Sequence, residues 1–263
     1  MNNYGDVLGG GFDTGLSNSF SFNTTIARNS VDNPQFSRSG SSISLSVSLT
    51  PPYSLLQKTR NFSAESAAER FKLVEYHKWM FDATWYTPLV GKLVLSTRAH
   101  LGFLGTYNSK LGFSPFERFV VGGSGLTGQG GYYIARDIIG LRGYADNSIG
   151  PQGSNQGGGG ATGSASGGVA YDKFVMELRY PISLNPSATI FVLGFAEGGN
   201  NWGSFREYNP LNLYRSVGVG ARIFMPAFGL IGIDYGYGFD RVPGQPEAGG
   251  KGRFHFTIGQ QFR

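Results

Sequence analysis

Leu93-Val94-Leu95-Ser96-Thr97-Arg98-Ala99-His100-Leu101-Gly102-Phe103 is the stretch whose reading decides the fold. Leu93, Leu95, Thr97, Ala99, Leu101 and Phe103 occupy alternate positions, so an extended chain puts them on one face and Ser96, Arg98 and His100 on the other. A face carrying Arg and His suits a water-filled interior better than a packed core. The apolar face must then meet lipid, which is the arrangement of a transmembrane β-barrel.

Neighbouring stretches repeat the pattern. Trp79, Phe81, Ala83 and Trp85 alternate with Met80, Asp82, Thr84 and Tyr86, and the tryptophans at the two ends suit the aromatic girdles of a membrane interface. Phe174, Met176, Leu178 and Tyr180 oppose Lys173, Glu177 and Arg179, charges that an interior must pair or hydrate. Val217 to Met225 and Ile231 to Phe239 alternate with inward positions dominated by glycine, which leaves room for something to sit in the lumen. Asn18 to Ala27 and Ser42 to Leu49 add two more strands, and Arg253 to Arg263 ends the series with Phe254, Phe256, Ile258 and Phe262 facing lipid. Thr189 to Gly198 is apolar on both faces, and parity cannot orient it. The count is about nine strands, with short turns at Pro88 to Lys92, Pro181 to Ser187 and Pro226 to Gly229 taking turns with longer connections.

Composition agrees. Of 263 residues 42 are Gly, 21 Phe and 14 Tyr, and only 15% are charged, against about a quarter in soluble domains. The run Ile190 to Ala196 falls far short of the roughly 20 apolar residues of a spanning helix. The absence of cysteine removes disulfides, zinc-thiolate sites and thiol nucleophiles. A net charge of +5 arises from scattered Lys and Arg without a basic stripe, so nucleic acid is not an expected partner. His77, His100 and His255 lack metal-ligand spacing, and no cofactor is expected.

One stretch, Gly105 to Gly168, breaks the alternation. It is long and glycine-rich, and Leu141-Arg142-Gly143-Tyr144 lies within it; loops of this length are usually functional or disordered. Its Gly157 to Gly168 part reads as disordered.

Phe119-Val120-Val121-Gly122-Gly123, Leu141-Arg142-Gly143-Tyr144, Met176-Glu177-Leu178-Arg179-Tyr180-Pro181 and Phe254-His255-Phe256-Thr257-Ile258-Gly259-Gln260-Gln261-Phe262, in that order, resemble the barrel of the assembly factors in the bacterial surface-antigen family. The resemblance runs from about Phe20 to the end. It implies an all-β, antiparallel transmembrane β-barrel in the bacterial outer membrane that folds and inserts other β-barrel proteins and has no enzymatic activity. Its implied partners are outer-membrane lipids, unfolded β-barrel clients and accessory lipoproteins. It further implies that the loop folds back into the lumen, anchored through Arg142, Gly143 and Tyr144, with Glu177 and Glu197 as the acids met by Arg142; the family more often has Asp at the Glu197 position. Glu177 and Arg179 could instead pair with neighbouring strands. The last strand, with Phe254, Phe256, Ile258, Gly259 and Phe262, resembles the terminal signal of barrel proteins, and its edge could accept a further strand. The family barrel has about sixteen strands and is preceded by periplasmic domains. Residues 1–263 supply about nine strands and no such domains, so the expectation is the C-terminal part of a longer protein.

Four rival readings each make their own demand on the sequence or the lumen. A secretion pore of the same superfamily or a simple porin would conduct ions, and a porin needs an unobstructed lumen. A barrel lipase would use Ser124 with His100 as base, although Gly123-Ser124-Gly125-Leu126 lacks the flanks of a nucleophile elbow. Gly123 to Gly128 fits G-x-G-x-x-G without opening a helix, so nucleotide binding is not expected.

Overall fold

Alternating stretches become nine antiparallel strands of one sheet in a computed structural model that describes residues 16–57, 61–62, 64–125, 136–151, 167–185, 187–226 and 229–258. In chain order these are β1 (Phe22–Asn29), β2 (Gly40–Leu49), β3 (His77–Pro88), β4 (Val94–Gly105), β7 (Ala170–Asn185), β8 (Ala188–Trp202), β9 (Tyr214–Met225), β10 (Gly229–Gly238) and β11 (Gly252–Ile258). Each strand pairs with the next, and the sheet ends on β1 and β11. Among the described residues no helix is long and apolar enough to cross a membrane. Two short helices, α1 (Tyr53–Leu56) and α2 (Ala67–Arg70), lie in the connection between β2 and β3.

The predicted parity holds along the wall. Trp79, Trp85, Phe174, Met176, Leu178, Tyr235, Phe254, Phe256 and Ile258 are exposed, whereas Ser96, His100, Lys173, Glu177, Arg222 and His255 are buried on the inner side. Large apolar side chains outside and ionised ones inside invert the order of a water-soluble protein, as lipid requires. The structure also orients β8: Phe191, Leu193, Phe195 and Glu197 face inward, while Val192 is exposed.

Strand ends differ from expectation at β1, which opens at Phe22 while Asn18 makes only an isolated bridge to Leu73, and at β7 and β8. The predicted turn from Pro181 to Ser187 is mostly strand, because β7 continues to Asn185 and absorbs Pro181 at a register shift between Pro181 and Ser183. Proline lacks an N–H and is tolerated at such a bulge. Similarly, β8 runs past Gly198 to Trp202, since Gly199, Asn200 and Asn201 keep their register with Lys173, Asp172 and Tyr171.

The loop between β4 and β7 carries structure of its own. β5 (Phe119–Val121) and β6 (Asp137–Ile139) form a two-stranded parallel pair, too short to show a period. Phe119, Val121, Ile139, Leu141, Tyr144 and Ile149 gather with Leu104, Tyr171 and Tyr214 of the wall in one apolar cluster. The burial of these residues holds the loop against the inner face of the sheet. On the side of the short turns, the connection between β1 and β2 folds under the sheet, and the Phe36 ring meets Phe191 edge-on at 5.2 Å.

Candidate functional site: an arginine clamp inside the barrel

Arg142 sits where the loop turns back toward the wall, and only 3% of it is exposed. The next residue, Gly143, has φ +89°, a left-handed conformation that costs a side-chain-bearing residue roughly 1–2 kcal/mol. Space imposes the same choice. A Cβ on Gly143 would stand 2.8 Å from the Gly238 backbone nitrogen and 2.9 Å from the Ser216 Cβ. On the facing strand, a Cβ on Gly236 would come 2.8 Å from the Gly143 nitrogen. The inward glycines of β10 are the seat into which the loop tip fits.

Three strands then grip the guanidinium. Arg142 Nε donates to Glu197 Oε1 on β8 at 2.8 Å, the Arg142 backbone N–H donates to Glu197 Oε2 at 2.9 Å, and Nη2 donates to Glu177 Oε1 on β7 at 2.7 Å. Nη1 lies 3.4 Å from Asp234 Oδ1 on β10. The Phe195 ring lies beneath the guanidinium, 3.6 Å from ring centroid to Cζ. A planar fork of donors is the group that can face several carboxylates at once and stack on an aromatic ring.

The acids have further partners. Glu177 is shared, because Arg179 Nε donates to its Oε2 at 2.8 Å. Asp234 accepts from Arg222 Nη1 at 2.8 Å and Nη2 at 2.7 Å. Lys173 Nζ lies 3.8 Å from Glu197 Oε1. The network thus joins four cations, Arg142, Arg179, Lys173 and Arg222, to three carboxylates, Glu177, Glu197 and Asp234.

Gly143 and Tyr144 complete the attachment. The Gly143 N–H donates to His255 Nε2 on β11 at 2.8 Å, which ties the loop tip to the last strand and requires that nitrogen to be unprotonated. Tyr144 is fully buried, donates its hydroxyl hydrogen to the Arg215 carbonyl at 2.7 Å and accepts the Asp240 N–H at 3.2 Å. Burial, above all, pushes its phenol pKa above the ordinary value.

The structure therefore brings Arg142, Gly143, Tyr144, Glu177 and Glu197 together at one point. Partners on neighbouring strands were the alternative for Glu177 and Arg179; the two instead pair with each other, two residues apart on β7, and this contact coexists with that of Glu177 to Arg142. Asp234 and His255 also belong to the clamp. Their inward parity, between Ile233 and Tyr235 and between Phe254 and Phe256, was the available signal. Phe254, Phe256 and Ile258 face outward at the edge strand, 68%, 55% and 70% exposed; Gly259 and Phe262 lie outside the described residues, as do residues 157–166 of the stretch read as disordered. His100 Nε2 is 2.9 Å from the Tyr171 hydroxyl, an internal contact that gives a lipase reading no support. Among the described residues no group of His, Asp and Glu is arranged to hold a metal.

Asp234→Asn keeps the shape and removes the charge that pairs with Arg222. It is expected to cost about 1.5–3 kcal/mol, the worth of a hydrogen bond to a charged group. The check is the temperature at which the folded barrel loses its compact gel mobility, which should fall, with the loop tip still docked through Glu177 and Glu197.

The Omp85 superfamily domain matches residues 9–262. Among solved structures, BamA from Haemophilus ducreyi lacking POTRA domains 1–3 superposes with a TM-score of 0.60 at 18% identity. That match covers 90% of this chain and 41% of the BamA chain, so this chain spans less than half of its length. No curated protein sequence matches the chain significantly. The superfamily match across nearly every residue, on an antiparallel sheet that shares the BamA barrel fold, places the chain in the Omp85 superfamily of bacterial outer-membrane β-barrel proteins.

Proposed function

We propose that residues 1–263 are part of a larger barrel that folds and inserts other β-barrel proteins into the outer membrane. The observation that carries this reading is the clamp: a loop tip folded into the lumen and held by Arg142 to β7, β8 and β10. A loop seated there obstructs the lumen, which suits an assembly factor better than a porin. The edge strand β11 supports the same reading. An edge offers unpaired backbone donors and acceptors to an incoming strand, and the loop tip reaches β11 directly through His255. Unfolded barrel chains are the substrates in this proposal, outer-membrane lipid is the solvent, and accessory lipoproteins are additional partners.

The test is reconstitution of the full-length protein that contains this chain into vesicles of outer-membrane lipid, followed by addition of a urea-unfolded barrel protein. Folded client, read by its gel mobility before heating, is expected to accumulate at least about tenfold faster than in protein-free vesicles, a difference of about 1.4 kcal/mol in barrier. Equal rates would refute assembly. Large steady ion conductance in planar bilayers, with no gain in client folding, would favour the porin.

A further inference from the structure

Arg142 at the loop tip is not the only cation that joins the loop to the wall. On β3, three strands from β8 in the sheet, Lys78 points inward with 5% exposure. Its ammonium lies 2.8 Å from Glu117 Oε2 and 2.8 Å from Asp137 Oδ2. The two acids come from opposite flanks of the loop: Glu117 stands just before β5, and Asp137 opens β6. The Asp137 N–H donates to the Arg118 carbonyl at 3.0 Å, which joins the flanks directly. Lys78 Nζ also lies 5.2 Å from the Phe119 ring centroid.

Two further observations give this contact weight. Glu117 has φ +65°, a conformation that a bulky residue keeps only where its surroundings over-determine it. From the same inner face, three strands along, Asn201 on β8 donates through Nδ2 to the Phe119 carbonyl at 2.9 Å. The β5–β6 pair is therefore held from β3 and from β8, as a chord across the curved wall.

We infer that Lys78 is a second latch, which fixes the outer part of the loop to β3 independently of the Arg142 clamp and makes the β5–β6 pair a brace between β3 and β8. Lys78 is a positioning residue: it acts on the loop. The latch suits its place because a buried ammonium needs a partner, whereas Glu117 and Asp137 are about one-third exposed and remain solvated when released. Releasing the latch thus strands only one charge.

The readout is tryptic cleavage after Arg118, a residue whose guanidinium is held by the carbonyls of Ser114, Gly167 and Phe113, contacts that opening of the flank would break. It is measured on the full-length protein in vesicles. Lys78→Met removes the charge, keeps the length and leaves an apolar side chain in the wall. Cleavage is expected to rise at least about tenfold, while amide exchange in residues 139–150 keeps its wild-type protection. Lys78→Arg should stay near wild type. Lys78→Glu should open the flank. Should the wall variants fail to fold, Glu117→Gln with Asp137→Asn puts the same question from the loop side. Wild-type cleavage in Lys78→Met and in that double variant, with folded gel mobility intact, would overturn the latch, and so would loss of protection in residues 139–150 to the same extent as at Arg118. These readouts do not involve a client, so they stand or fall apart from the assembly reading.

Discussion

Arg142→Ala is expected to free the loop tip from the wall while the barrel itself stays folded. Losing the charge-assisted hydrogen bonds to Glu177 and Glu197 costs about 3–5 kcal/mol in all, at roughly 1.5–3 kcal/mol for each bond. Applied to the docking equilibrium of the tip, that is a loss of about a hundredfold to a few thousandfold. The barrel is spared because of the charge count inside it. Glu177, Glu197 and Asp234 keep Arg179, Lys173 and Arg222 as partners when Arg142 is gone, so no carboxylate is left alone. What disappears is the set of contacts that crosses from loop to wall: the bonds to Glu197 and Glu177, the approach to Asp234 and the stacking on Phe195. Arg142→Lys restores the charge as a point, and one ammonium cannot reproduce a fork directed at three strands; partial recovery is expected. Protease susceptibility of residues 139–150 and client-folding rate are the two measurements. Wild-type values of both in Arg142→Ala would exclude the clamp from the mechanism.

Much of this architecture was legible from side-chain alternation, because a wall between lipid and water sorts residues by parity more strictly than a soluble sheet does. The faces of β3, β4, β7, β9 and β10 follow from it. β8 did not yield to parity, for a physical reason. Phe191, Leu193 and Phe195 are apolar yet face the lumen, since Phe36 from the β1–β2 connection and Arg142 from the loop tip cover them. Both partners are distant in sequence, and no local period reports them. Proline at 181 and the Gly-Gly-Asn-Asn run at 198–201 carry turn composition, but the ladder between β7 and β8 overrides it.

The site divides in the same way. Arg142, Glu177 and Glu197 were reached through family resemblance, since a loop arginine and two strand carboxylates have no spacing that links them. Asp234 and His255 stood in plain inward register and were obscured by their neighbours, glycines in one case and outward aromatics in the other. Lys78 lies one residue before the alternating run that begins at Trp79, where parity could not yet be read. β5 and β6 are three residues each, below the length at which any period emerges.

Steric seating of the loop tip makes a prediction as large as the electrostatic one and separable from it. Gly143→Ala must adopt φ +89° with a Cβ, at roughly 1–2 kcal/mol, and must press that Cβ to 2.8 Å from the Gly238 nitrogen. Overpacking of this kind adds about 1–3 kcal/mol, so the tip should lift even though all four cations and three carboxylates remain. The objection that alanine merely disfavours the turn is met from the other side of the contact. Gly236→Ala needs no positive φ, and its Cβ would come 2.8 Å from the Gly143 nitrogen, so it closes the seat without touching the loop. Gly194→Ala provides the control on the neighbouring wall, since the nearest atom to its Cβ is the Gly218 carbonyl oxygen at 4.0 Å. Amide exchange over residues 139–150 should quicken in Gly143→Ala and Gly236→Ala and stay at the wild-type rate in Gly194→Ala. If Gly236→Ala exchanged like the control, the glycines of β10 would be a matter of strand packing alone, and the tip would owe its place to the charges.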